Sequence, residues 1–145
     1  MRYIGFDMGD GESAVAAFEH GSLIEPVILP VCGSASLLSA VGLLGGEIVV
    51  GDRALTDALA QELSVRFKSR FTTDPASYED VVRFVRGVLS DLRQSGALRP
   101  DDRFVVGCPA PWDTAARTRH RRLLVRAGRV KEGSGNVHDH LPSPG

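Results

Sequence analysis

The sequence predicts an α/β fold, a mixed sheet with flanking helices, and three observations carry that reading. The first 29 residues hold three apolar runs separated by glycine-containing turns. Residues 78–95 repeat apolar side chains at helical spacing. A further short apolar run follows that helix at 103–108. Strands, then a long amphipathic helix, then another strand make the pattern of a sheet with a helix packed on it.

The opening runs are Tyr3 to Asp7, Ser13 to Glu19 and Leu23 to Leu29, with turns at Met8–Glu12 and His20-Gly21-Ser22. Turns this compact predict hairpins and so an antiparallel meander. Leu37 to Leu44 and Glu47 to Val50 predict a second strand pair around Gly45-Gly46. Asp52 is placed to cap a helix reaching about Leu63. A basic segment follows, Arg66-Phe67-Lys68-Ser69-Arg70. In the long helix Tyr78, Val81, Val82, Val85, Val88, Leu89 and Leu92 share one face. Ser77 with Asp80 resembles a capping box, and Gly96 sits where a glycine ends a helix. Arg103 to Cys108 predicts a buried strand, and a second helix is expected from Asp113 to Gly128. The polar segment 131–145 is expected to be a disordered tail.

Composition narrows the function classes. The chain has 145 residues, 43% hydrophobic and 24% charged, enough for one core. A net charge of -1 supplies no global field for nucleic acid or an acidic membrane. Arg117, Arg119, His120, Arg121 and Arg122 form a basic cluster without interleaved aromatics, which predicts a solvated helix face rather than a nucleic-acid surface. No signal peptide is visible. Residues 26–46 carry no charge, but their prolines and glycines predict two buried strands rather than a membrane helix. Cys32 and Cys108 lack metal-ligand spacing and predict two buried thiols in a reducing cytoplasm. His138 and His140 make a weak metal site, and Trp112 is expected to be a packing anchor.

The best chemical signal is strand, acid, glycine turn, strand, from Ile4 to Ser13. Asp7 at a strand end can hold a hydrated magnesium ion. Gly9 and Gly11 let backbone amides approach phosphate oxygens. A hairpin with Asp and Gly in its turn for purely structural reasons accounts for the same residues. There is no GxxxxGK[ST] loop, no GxGxxG and no calcium loop. The second signal is Val105-Val106-Gly107-Cys108-Pro109-Ala110, a strand ending in Pro-Ala, followed by a helix carrying Arg117.

Together these segments resemble the DnaK-like heat-shock chaperones of the actin and sugar-kinase superfamily. Ile48 to Ala54 looks like the family's glycine–acid segment before an alanine helix, and residues 66–70 look like the stretch with its catalytic lysine. The resemblance runs in order from residue 2 to about 128. It implies a ribonuclease-H-like first lobe of the actin fold, covering residues 1–130, that binds ATP and Mg2+. By the same resemblance Asp7 positions magnesium through water, and Gly9, Asp10 and Gly11 surround the phosphates. Lys68 places the attacking water, while Pro109 and Arg117 relay nucleotide state. Lys68 as a surface lysine and Pro109 as a strand terminator are the structural alternatives.

Two departures shape the expectation. The family has threonines where Asp10 and Gly11 stand, and a carboxylate beside phosphates is repulsive unless it points away or meets a cation. The family also continues into a Glu-Pro segment with a catalytic acid and a second phosphate loop. Here a polar tail follows Gly128, so the lobe is expected to be truncated and inactive alone. The Tyr78–Leu92 helix and the Arg103–Cys108 strand are then expected to expose apolar surface. The implied partners are nucleotide and a client or co-chaperone protein. The alternative is a non-catalytic interaction module on the same fold.

Overall fold

The computed structural model describes residues 1–106, except 20, 22–24, 58 and 72, together with residues 118 and 122. The elements among them are β1 (Arg2–Met8), β2 (Glu12–Glu19), β3 (Val27–Ile28), β4 (Leu37–Leu38), β5 (Ala40–Leu44) and β6 (Glu47–Val50). These are followed by α1 (Asp52–Thr56), β7 (Gln61–Val65), α2 (Ser77–Gln94) and β8 (Arg103–Val106). The fold is mixed α/β, as the sequence predicts.

The main sheet runs β3-β2-β1-β8, with β4 also paired to β2. β1 and β2 are antiparallel, with Phe6 opposite Val15 and Met8 opposite Ser13. β8 lies parallel to β1, with Phe6 beside Val106. Strand alternation puts Ile4, Phe6, Met8, Val15 and Ala17 on one buried face. Asp7 falls on the other face with Tyr3 and Gly5; there Tyr3 stacks on Phe18 at 5.5 Å. The smaller sheet, β6-β5-β7, is antiparallel throughout.

α2 joins the two sheets. Val81, Val82, Phe84, Val85, Val88, Leu89 and Leu92 are each at most 1% exposed. They pack with the buried face of the main sheet and with Val41 and Val50 of the smaller one. Phe84 meets Phe6 edge-on at 6.4 Å and lies 5.1 Å from Phe67. Burying such side chains contributes about 1.5–3 kcal/mol each. The expected exposure of this helix is therefore wrong: its apolar face is covered. The helix ends as predicted at Gly96, φ 74. Gly96 N–H donates to Arg93 O and Ala97 N–H to Leu92 O, the paired bonds of a Schellman stop.

Several local expectations are corrected. The Ser77–Asp80 capping box does not form. The Ser77 hydroxyl donates to Asp74 O at 2.7 Å, while Asp80 accepts from the Ser64 hydroxyl at 2.7 Å. α1 stops at Thr56 instead of about Leu63, because residues 61–65 pair with β5. Asp52 makes no cap; the N-cap position is Gly51. The run Leu37–Leu44 is divided: β4 pairs with β2, and β5 turns into the smaller sheet. Val27 and Ile28 are exposed rather than buried. Cys32 is also exposed, since it occupies the Val31–Ser34 turn with φ 51.

A buried ion pair ties the ends of the described chain together. Arg2 Nε and Nη2 donate to Asp102 at 2.8 and 2.6 Å, and Nη2 also donates to Ala97 O. Arg99 N–H donates to the same carboxylate at 2.7 Å. This pins the start of β1 to the link between α2 and β8.

The predicted strand is seen over Arg103–Val106; Gly107 and Cys108 lie outside the described residues. So do most of the Asp113–Gly128 helix and all of 131–145, although Thr118 and Arg122 are helical. Among the described residues, no helix is long and apolar enough to cross a membrane.

Candidate phosphate loop

The β1–β2 hairpin brings its turn, residues 9–11, to the end of the main sheet. Gly9 N–H donates to Glu12 O at 3.0 Å and closes the turn. A Cβ on Gly9 would lie 2.4 Å from that same oxygen, so only glycine fits. Gly11 is different: a Cβ there would meet nothing within 4 Å.

The turn is held from both sides. Ser39, at the β4–β5 junction, is 2% exposed. Its hydroxyl donates to Gly9 O at 2.8 Å, and its N–H donates to Gly11 O at 2.9 Å. The Ser39 proton is thereby committed, so Ser13, 2.8 Å away, must donate to Ser39 Oγ. On the other side Ser69 N–H donates to Asp10 Oδ1 at 3.1 Å. Nearby, Ser36 donates to Glu12 Oε2 at 2.9 Å.

The structure thus joins two predicted site segments. The Asp10 loop and the Lys68 segment, 59 residues apart for the bonded pair, are hydrogen-bonded neighbours. Asp10 turns its carboxylate toward the 66–70 segment. Lys68 is 4% exposed, flanked by the fully buried Phe67 and near Phe71, so it is not a surface lysine. Asp7 stands apart on the opposite face of β1. It is exposed, and among the described residues its carboxylate has no hydrogen bond or ion pair, although its backbone pairs with Ala14 of β2. Pro109 and Arg117 lie outside the described residues.

An exposed carboxylate at a strand end is the donor a water-bridged magnesium ion takes, since Mg2+ keeps several waters and needs few protein ligands. Among the described residues, no group of three or more His, Cys, Asp or Glu could hold a metal by itself. Any ion here would depend on ligand oxygens besides Asp7.

Ser39 and Ser13 were missed from the sequence. Serines between apolar residues look like ordinary strand or turn residues, and nothing local marks Ser39 as the partner of a turn 30 positions away or Ser13 as the partner of Ser39.

A separate cleft of about 560 Å3 lies between α2 and the β5–β6 hairpin, lined by Cys32, Glu47, Arg53, Arg86 and Asp91 among others. Cys32 N–H donates to Asp91 at 2.8 Å. Although Cys32 is exposed, partial desolvation of its thiol and the Asp91 carboxylate push it up from its ordinary range, which disfavours the reactive thiolate.

No protein-family model and no curated protein matches the chain.

Proposed function

We propose that this chain is an ATP-binding lobe of the DnaK-like, actin-fold type, with a ribonuclease-H-like sheet and the 8–12 turn as its first phosphate loop. The supporting observation is the Ser69–Asp10 hydrogen bond, which makes neighbours of the two segments that such a site needs. The sheet order β3-β2-β1-β8, with β8 parallel to β1, is the expected meander extended by one strand. Ser69 N–H holds the Asp10 carboxylate toward the 66–70 segment; being neutral, it orients the acid without cancelling its charge. In this reading Asp7 holds magnesium through water, and Lys68 supplies positive charge beside the loop. Nucleotide-dependent contact with a client or co-chaperone protein, in the cytoplasm, belongs to the same proposal.

Calorimetric titration of the whole chain with Mg-ATP tests it. Asp7 and Gly11 are exposed, so little of the ligand is buried, and affinity weaker than micromolar is expected. Asp7→Ala should weaken binding about tenfold, and so should omission of magnesium. Absence of binding, or affinity indifferent to Asp7→Ala, overturns the assignment.

A further inference from the structure

The Ser39 contacts do more than brace a hairpin. In a trans peptide the C=O and N–H point in opposite directions. Gly9 C=O is drawn onto the buried Ser39 hydroxyl at 2.8 Å, so the N–H of the same peptide unit, that of Asp10, points away from Ser39. Gly11 C=O is drawn onto Ser39 N–H, so a second carbonyl is also turned away from the loop mouth. Among the described residues, neither the Asp10 nor the Gly11 N–H has a hydrogen-bond partner. A loop that keeps the Gly9 and Gly11 carbonyls occupied while the Asp10 and Gly11 amides stay unoccupied is suited to an anion, because carbonyl oxygens would repel one.

Resting on the phosphate-loop reading, we propose that Ser39 is a positioning residue of this site. Its hydroxyl orients the Gly9–Asp10 peptide unit so that the Asp10 amide faces phosphate oxygens, and its amide holds the Gly11 carbonyl out of their way. Ser13 orients the Ser39 hydroxyl, but does not itself touch the loop carbonyls.

The test compares Ser39→Ala, Ser39→Thr and Ser13→Ala with the wild-type chain by amide-resolved NMR titration with Mg-ATP. Ser39→Ala should weaken binding about tenfold, the loss expected of one oriented hydrogen bond. It should also shift the free-state signals of residues 9–12 while those of α2 stay in place. Ser39→Thr should restore most of the affinity, because it returns the hydroxyl. Ser13→Ala also deletes a buried hydroxyl, but should keep affinity within about twofold, since the bond to Gly9 O survives. Equal losses in Ser39→Ala and Ser13→Ala would mean a merely structural role and overturn the proposal. So would wild-type affinity in Ser39→Ala. If the wild-type chain binds no Mg-ATP, the phosphate-loop reading falls and the proposal falls with it. If the wild-type chain binds and Ser39→Ala binds equally, only the role of Ser39 is lost.

Discussion

Replacing Gly9 and Gly11 by alanine, one at a time, should have opposite consequences although they are two residues apart in one turn. At Gly9 the new Cβ would sit 2.4 Å from Glu12 O. That atom is backbone, so no side-chain rotation relieves the contact. Moving the two apart stretches the Gly9 N–H bond to Glu12 O, now 3.0 Å, and shifts Gly9 O from the Ser39 hydroxyl. Losing one ordinary hydrogen bond costs about 0.5–1.5 kcal/mol, and leaving the buried Ser39 group unsatisfied costs about 1–3. The entropy removed from the unfolded chain returns only about 0.4–1 kcal/mol. The net is a loss of about 2–3 kcal/mol, or roughly 6–10 °C in Tm for a domain of this size. At Gly11 there is no neighbour within 4 Å and no left-handed backbone. Gly11→Ala should therefore be neutral or stabilising by up to about 1 kcal/mol. Thermal unfolding followed by circular dichroism reads both. Equal Tm values for the two variants, or a Gly9→Ala protein as stable as wild type, would refute the close-approach argument.

Two further predictions concern the framework. Burial pushes the Asp102 carboxyl up, but the Arg2 guanidinium and the Arg99 N–H outweigh it and hold the group below the usual carboxylate range. A depressed folded value means the pair stabilises fully above the ordinary Asp pKa of about 3.9 and is lost progressively as pH falls below it. Urea unfolding of wild type and Arg2→Ala should thus differ by about 3 kcal/mol at neutral pH, and the gap should narrow progressively as pH falls below about 4; a constant gap would contradict the pairing. Gly87→Ala adds a Cβ 2.5 Å from Val50 Cγ1 and 2.9 Å from Ile48 Cγ2. Overpacking at about 1–3 kcal/mol should exceed the ~1 kcal/mol helix-propensity gain, so a stabilised variant would show that α2 does not sit this close to β6.

Much of the framework was legible from local pattern. The α2 face follows from apolar spacing, its end from Gly96, and the β1–β2 hairpin from two alternating runs around a short turn. Each is a short-range feature, set by backbone geometry within a few residues. The exposed Val27 and Ile28, and Cys32 in its turn, show the limit of that reasoning: apolar character alone does not say whether a partner layer arrives to cover a residue.

What the sequence by itself determined is the first hairpin, the long helix with its glycine stop, the strand after it, and the placement of an acid and two glycines in one turn. Only the tertiary structure decided how they meet. α1 ends at Thr56 because residues 61–65 gain a strand partner in β5, and pairing energy across the sheet outweighs weak helical preference. The run Leu37–Leu44 divides at Ser39 because its two halves pair with different sheets. That division puts a buried serine against Gly9 and Gly11, while the turn after β7 puts Ser69 against Asp10. Such contacts depend on non-local pairing, which no residue encodes alone: hydrogen bonds between segments 30 and 59 positions apart exist only once both sheets have closed on α2.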